Sequence, residues 1–174
     1  MRERITDAAR AAGRAPSAIT LIGVAKSQPL ERVTSALDAG LADLGENYVQ
    51  EARAHFAALG GRNIGKHFIG ALQTNKTRDA AELFDWVHTV DRARVAERLS
   101  AQRPDAMPPL EVCIQVQIGG ESTKSGVAPE SLAALAEAVA ALPRLRLRGL
   151  MALPPEEKTG EFPLTLDLRR PANL

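Results

Sequence analysis

Lys26 is the residue whose type and position most strongly suggest chemistry. It follows the apolar run 19–25 and precedes Ser27-Gln28-Pro29, which cannot continue a strand. An ammonium group on the last residue of a buried strand is costly unless it is paired or loses its proton. A neutral lysine amine is a nucleophile, and barrel and open α/β folds place their chemistry at strand ends. The position indicates an imine-forming lysine, with a solvated strand-end lysine as the commoner alternative.

Three further polar segments follow predicted strands. Gly45-Glu46-Asn47 offers a carboxylate and an amide directly after a strand, although Asx turns have the same composition. The segment 67–76 could present backbone N–H groups to an anion, but it lacks the paired glycines of a nucleotide-binding loop. The segment 119–126 is small and polar, which is typical both of a ligand-binding loop and of a solvated linker. None of these segments identifies a site by itself.

The composition excludes several classes of protein. The 174 residues are 45% hydrophobic and 25% charged, as expected for one globular domain with a sizeable core. A formal net charge of +1 argues against an electrostatic nucleic-acid binder. The single cysteine, Cys113, excludes an internal disulfide, and its apolar run predicts a buried structural thiol. The three histidines lack metal-ligand spacing. No secretory leader or membrane span is visible, so we expect a cytoplasmic protein without a metal or a membrane partner.

The elements that position these residues alternate between helix and strand. Apolar runs predict six strands, at 19–25, 41–46, 66–69, 86–90, 110–118 and 145–151. Helices are predicted before the first strand and between all the others, with Asp91 as the N-cap of the helix that carries Val95 and Leu99. Strands joined by helical crossovers form a parallel sheet. The regular rhythm favours a (β/α)-barrel, with a doubly wound open sheet as the alternative.

Taken in order, these motifs closely resemble one family, the pyridoxal-phosphate homeostasis proteins, which are single-domain relatives of the alanine racemase barrel. The resemblance covers about residues 1–154 and rests on the segments Val24-Ala-Lys-Ser-Gln-Pro29, Gly45-Glu-Asn-Tyr-Val-Gln50, His67-Phe-Ile-Gly70 with Leu72-Gln73 and Asn75-Lys76, Ser122-Thr-Lys-Ser-Gly126, and Arg146-Leu-Arg-Gly-Leu-Met151. It implies a fold-type-III (β/α)8 barrel of the TIM-barrel type that holds pyridoxal 5′-phosphate (PLP).

The same resemblance assigns roles to individual residues. It implies that Lys26 holds PLP as a Schiff base and that Asn47 and His67 line the pocket at strand ends facing the barrel mouth. Lys124 matches a lysine in the loop after the fifth strand, which gives the hypothesis that it helps to hand the cofactor on. The resemblance implies no catalytic residue and no metal ligand in this chain.

The end of the chain departs from the family pattern. Family members continue with a seventh and an eighth strand whose turns cradle the phosphate, and nothing in residues 159–174 matches those turns. We therefore expect an incomplete barrel of about six βα units over residues 1–154 and a truncated or frame-shifted tail over residues 155–174. Open sheet edges and exposed apolar surface would be an aggregation hazard or an invitation to oligomerise, and we expect a monomer or weak oligomer. PLP would be retained less well than in a full-length relative.

The function implied is that of a non-catalytic PLP carrier in intracellular PLP homeostasis, with apo forms of PLP-dependent enzymes as candidate recipients. Two alternatives stand beside it. An amino-acid racemase of the same barrel type needs a second, β-rich domain with an opposing acid/base residue, for which 174 residues leave no room. A defective fragment without a working site is the other alternative.

Overall fold

A computed structural model describes residues 1–118 and 125–153 of the chain. Its six strands are β1 Ile22–Val24, β2 Asp43–Glu46, β3 Gly65–Phe68, β4 Trp86–Val90, β5 Leu110–Gln115 and β6 Leu145–Met151. Its six α-helices are α1 Arg2–Ala11, α2 Leu30–Asp38, α3 Val49–Ala58, α4 Thr77–Leu83, α5 Ala93–Gln102 and α6 Leu132–Ala140. Short 3₁₀ turns lie at Pro16–Ala18, Thr74–Lys76 and Pro129–Ser131.

The sheet is parallel throughout and its strands follow one another in chain order, from β1 to β6. A doubly wound sheet would reverse its strand order at a switch point, and this sheet does not. Each crossover between parallel neighbours carries a helix, and crossovers of one hand place those helices on one face. The prediction of an incomplete (β/α)-barrel type of fold is confirmed, with six parallel strands among the described residues, and the doubly wound alternative is wrong.

The two faces of the sheet have different compositions because side chains alternate along each strand. Apolar side chains of the strands pack against the helices in one buried cluster, which includes Leu44, Phe68, Val87, Val112 and Ile114. We call this side the helix face. The opposite side, which we call the open face, carries polar and aromatic side chains: Asp43, His67, Trp86, His88 and Glu111.

Three details of the sequence prediction are corrected by the structure. Strand β1 begins at Ile22 and ends at Val24, so Lys26 lies beyond the strand. Strand β5 ends at Gln115, because the chain returns and Val127 donates its backbone N–H to the Gln115 carbonyl. The N-cap of α5 is Arg92 without a side-chain cap, whereas the Asp91 carboxylate forms an ion pair with the Arg92 guanidinium.

The described residues bear on two features that the sequence predicts to be absent, a membrane span and a metal site. Within residues 1–118 and 125–153, no helix is long and apolar enough to cross a membrane. The same residues contain no group of three or more His, Cys, Asp or Glu side chains that could hold a metal ion. The predicted tail at 155–174 lies outside the described residues, so its boundary stays a prediction.

Candidate functional site

Lys26 lies at the carboxyl edge of the sheet, in a turn that follows β1. The turn begins where the buried Ala25 donates its backbone N–H to the Gly45 carbonyl at 2.9 Å. Ser27 then adopts φ 56°, a left-handed conformation that is unfavourable for a residue with a side chain. The Glu51 carboxylate of α3 accepts the Ser27 backbone N–H at 3.3 Å. This contact, together with the pairing to β2, fixes the backbone on both sides of Lys26.

The Lys26 side chain is exposed, so the sequence argument for a buried ammonium is wrong. That argument took Lys26 as the last residue of a buried strand, but β1 is three residues long and pairs only with β2 among the described strands. An edge strand of this kind leaves its carboxyl end in solvent. The ammonium group therefore carries no burial penalty, and its Nζ is accessible to a ligand.

Asn47 lies at the same edge, directly after β2, and its environment is unusual. Its Oδ1 is buried and has no hydrogen-bond partner within the part of the chain that the structure describes. An acceptor buried without a partner costs about 1–3 kcal/mol, so such an atom calls for a specific explanation. A donor supplied by a ligand would remove that cost.

The backbone around Asn47 is tightly packed against the end of β3. A Cβ added to Gly70 would lie 2.7 Å from the Asn47 Cα and would also collide with the Asn47 carbonyl. Only glycine allows this approach without a shift of the backbone. On its other side, the Thr89 hydroxyl of β4 donates to the Gly70 carbonyl at 2.6 Å. The motifs around Asn47 and Gly70 are therefore two halves of one contact at the carboxyl edge.

His67 lies on the open face, one row below Lys26 and Asn47. The register places four residues side by side in one row across the sheet: Val24, Gly45, His67 and Trp86. Lys26 comes two residues after Val24, and Asn47 comes two residues after Gly45. The structure therefore brings Lys26 and Asn47 to the same edge, while His67 lies deeper than the strand-end position that the sequence predicts.

Both ring nitrogens of His67 are occupied by protein partners. His67 Nε2 lies 2.9 Å from Asp43 Oδ1 of β2, and His67 Nδ1 lies 2.9 Å from His88 Nε2 of β4. The His67 ring also stacks on Trp86, with 5.7 Å between the ring centroids. Burial, and secondarily the neighbouring His67, lowers the pKa of His88 to about 4, so His88 is neutral near pH 7.

Glu46 points away from this network, into the helix face. Its side chain is fully buried, and its Oε1 lies 2.6 Å from His55 Nδ1 of α3, while its Oε2 has no partner among the described residues. Burial raises the pKa of Glu46, and the hydrogen bond and charge of His55 partly offset that rise. Glu46 is therefore a buried structural acid, and it is not an acceptor at the carboxyl edge as its position in the motif suggested.

Sequence reasoning missed Asp43, Trp86 and His88. The available signal was the period-two alternation of β2, β3 and β4, which puts these polar and aromatic side chains on the face opposite the apolar ones. The prediction of a buried thiol at Cys113 is confirmed, and burial followed by the nearby Glu111 raises its pKa to about 11. Lys124 lies outside the described residues, so its role stays a prediction.

Known proteins resemble this chain over most of its length. The sequence model of the alanine racemase N-terminal domain matches residues 2–166. The pyridoxal phosphate homeostasis protein of Pseudomonas aeruginosa is 56% identical over 158 residues, which cover 91% of this chain and 68% of that protein. The protein of the same name from Escherichia coli K12 is 52% identical over 160 residues, covering 90% of this chain and 68% of that protein.

Solved structures agree with these sequence matches. PipY of Synechococcus elongatus PCC7942, solved with PLP bound, is 34% identical with a TM-score of 0.76, and the match covers 89% of this chain and 73% of that one. An alanine racemase of Clostridium difficile 630 is 15% identical with a TM-score of 0.62, covering 77% of this chain and 35% of that one. The second likeness concerns the fold alone.

Proposed function

We propose a function for this chain from the premise that it belongs to the alanine racemase N-terminal domain family and, within it, to the pyridoxal phosphate homeostasis proteins. The chain binds PLP as a Schiff base on Lys26 Nζ and acts in PLP homeostasis as a non-catalytic carrier. The observation that carries this proposal is the accessible amine of Lys26 at the carboxyl edge, in a turn fixed by β2 and α3.

The residues at the carboxyl edge fit such a cofactor. When bound, PLP supplies an aldehyde with which a lysine amine condenses. Among the three described lysines, Lys26 is exposed, whereas Lys66 lies with its Nζ 5.4 Å from the centre of the Phe56 ring and Lys76 is half-buried. Asn47 is the second candidate contact, because its unpartnered Oδ1 would accept a hydrogen bond from a donor on the ligand.

The chain's own residues orient this site. The Glu51 carboxylate holds the Ser27 backbone N–H, which keeps the turn after Lys26 in its left-handed form. The Gly70 backbone presses against Asn47 and limits the positions that its amide can take. His67 would line the floor of the site, one row deeper, where Asp43 and His88 hold its ring.

The absence of catalysis is the finer part of the proposal, and it is supported by the names of the relatives. Both highly similar proteins are homeostasis proteins, whereas the alanine racemase shares only the fold. Racemisation requires proton exchange on both faces of the substrate carbon, and Lys26 lies on one side only. Incubation of the PLP-loaded protein with L-alanine should therefore give no D-alanine, and measurable interconversion would overturn this part of the proposal.

A PLP titration tests the binding proposal directly. The purified chain is titrated while the visible absorbance of the imine is recorded, and borohydride reduction followed by peptide mapping then locates the adduct. We expect a saturable signal and one adduct on Lys26. Lys26→Ala should lose the signal entirely, whereas the matched control Lys66→Ala should retain it. A full signal in Lys26→Ala would refute the assignment, whereas no signal, or adducts scattered over many lysines, would favour a fragment without a working site.

Delivery of PLP to apo forms of PLP-dependent enzymes in the cytoplasm is a further proposal. The measurement is the activity that an apo-enzyme regains when it is mixed with the loaded chain, compared with an equal amount of free PLP. We expect the Lys124→Ala variant to transfer the cofactor more slowly. If cofactor loading and release are unchanged in that variant, Lys124 has no part in delivery.

A further inference from the structure

Asp43, His67 and His88 form a continuous row of hydrogen-bonding side chains on the open face, which we call the histidine row. Both links of the row measure 2.9 Å, from Asp43 Oδ1 to His67 Nε2 and from His67 Nδ1 to His88 Nε2. His67 is 3% exposed, so neither of its ring nitrogens relies on water. Trp86 stacks on both imidazole rings, with centroid distances of 5.7 Å to His67 and 5.5 Å to His88.

The backbone makes room for this row. Asp43 is in register with Gly65, and a Cβ added to Gly65 would collide with the Asp43 carboxylate and lie 3.1 Å from His67 Nε2. Each member of the row lies two residues further towards the carboxyl ends of the strands than the one before it. Asp43 is in register with Gly65, two residues before His67, and His67 is in register with Trp86, two residues before His88. The row therefore runs from Asp43, the first residue of β2, towards the carboxyl edge where Lys26 and Asn47 lie.

The row ends at an atom that is free to exchange a proton. In residues 1–118 and 125–153, no side chain or backbone group forms a hydrogen bond with His88 Nδ1, and this atom is not among the buried polar atoms that lack a partner. His88 itself is half-buried, so the row ends at a side chain that is partly open to solvent. At the other end, the Asp43 side chain is 27% exposed and its Oδ1 accepts the hydrogen bond from His67.

We propose that the histidine row is a proton relay, which takes up a proton at His88 Nδ1, stores the charge on His67 beside Asp43, and returns it to a titratable group on the open face. The proposal rests on the proposed function only for the identity of that group, which would then be a titratable atom of PLP. The relay itself is a property of the chain without ligand.

The proton balance follows from the bonding pattern. Before uptake, His67 Nε2–H donates to the Asp43 carboxylate, and His88 Nε2–H donates to the bare His67 Nδ1. When a proton binds at His88 Nδ1, the proton on His88 Nε2 passes to His67 Nδ1. His67 is then an imidazolium that donates to Asp43 and to His88, and His88 is again neutral but carries its proton on Nδ1. One proton enters, no other group is consumed, and the positive charge lies beside a carboxylate.

The surroundings favour charge on His67 over charge on His88. The charged or titratable groups that face His67 are Asp43 from β2 and His88 from β4, and an anion close to an imidazolium stabilises it. Burial lowers the pKa of His88, which keeps that ring neutral. On β5, Glu111 is in register with Trp86, but it is already paired with Arg146 and Arg148 of β6.

Nitrogen-15 NMR of the histidine rings in the full chain without PLP tests the relay. The chain has three histidines, so three rings give signals, and single His→Gln variants assign them. As the pH falls, we expect His67 to become doubly protonated and His88 to move its proton from Nε2 to Nδ1 with the same midpoint. A His88 ring that keeps its tautomer through the His67 transition, or that becomes doubly protonated in it, would overturn the proposal.

Two variants separate the relay from a merely structural role. Asp43→Asn removes the anion, so the shared transition should move to lower pH by about one unit or more. Gly65→Ala keeps every titratable group but displaces the Asp43 carboxylate, so it should move the transition in the same direction. A transition that stays in place in both variants would refute storage of charge beside Asp43. All of these readouts use protein without cofactor, so a failure of PLP binding at Lys26 would not change them.

Discussion

Strand β2 carries two acid–histidine pairs, one on each face of the sheet, and their surroundings are opposite. On the helix face, Glu46 Oε1 lies 2.6 Å from His55 Nδ1, and Glu46 is completely buried. On the open face, Asp43 Oδ1 lies 2.9 Å from His67 Nε2, and the Asp43 side chain is 27% exposed. The two acids have similar chemistry and lie only three positions apart in the sequence, so the comparison isolates the effect of the surroundings.

The difference lies in what each pair is connected to. The helix-face pair makes no further link among the described residues: Glu46 Oε2 has no partner there, and the His55 side chain is 16% exposed. The open-face pair continues through His67 Nδ1 to the half-buried His88. The helix-face pair lies among the helices, whereas the open-face pair lies on the side of the sheet where a ligand at the carboxyl edge could exchange protons with it. Proximity of acid and base alone therefore does not identify a functional site.

The largest effect is expected from breaking the helix-face pair. His55→Ala leaves the Glu46 carboxylate buried and without a partner, which should lower the free energy of unfolding by about 3 kcal/mol at pH 7. Asp43→Ala, by contrast, should cost about 1 kcal/mol, because His67 retains its bond to His88 and Asp43 is partly exposed. Urea unfolding of both variants measures the difference, and equal losses would contradict the comparison.

The pH dependence of the same variants provides a control. Burial raises the pKa of Glu46 above its ordinary value of 4.5, so its contribution to folding is present below pH 4.5 and is lost as the pH rises through the folded-state pKa. Removal of His55 raises that pKa further. The loss of unfolding free energy in His55→Ala should therefore be smaller at pH 4.5 than at pH 7. His55→Gln keeps an N–H donor, so its loss should be smaller than that of His55→Ala at both pH values.

Gly70 and Gly65 differ in the rigidity of the atoms that an added side chain would contact. A Cβ at Gly70 would meet the Asn47 backbone, whereas a Cβ at Gly65 would meet the tip of the Asp43 side chain. We expect Gly70→Ala to cost about 2 kcal/mol and Gly65→Ala less than about 1 kcal/mol, because a carboxylate can rotate away and a backbone cannot. Thermal or urea unfolding measures both, and a Gly65→Ala loss as large as that of Gly70→Ala would show that Asp43 is held rigidly.

The smallest effect concerns His88. Its pKa falls from 6.5 to about 4 on folding, so its neutral ring favours the folded state above pH 6.5, and this contribution is lost as the pH falls from 6.5 towards 4. In His88→Gln that loss should be absent. The slope of the free energy of unfolding against pH should therefore fall in this window by about 0.5 kcal/mol per pH unit, after allowance for partial exposure. Urea unfolding at several pH values measures the slope, and an unchanged slope would show that His88 is equally basic in both states.

The order and type of the helices and strands could be predicted because apolar runs mark the strands and glycines and prolines mark the ends of the elements. The exposure of Lys26 could not, because the run 19–25 does not reveal that pairing stops at Val24. The direction of Glu46 was within reach, since period-two alternation places it on the same face as the apolar Leu44. The histidine row was not, because it depends on the register of Asp43 with Gly65, which no single strand reveals.

The agreement between the strand order of the sheet and the order of the chain has a consequence for synthesis. Each of the strands β2 to β6 pairs with the strand made immediately before it, so a nascent chain can extend the sheet at its newest edge without waiting for a distant partner. The turn at Lys26 needs only the Gly45 carbonyl and the Glu51 carboxylate, both of which are present once α3 has left the ribosome. The backbone around Lys26 is therefore specified early, by segments that are synthesised soon after it.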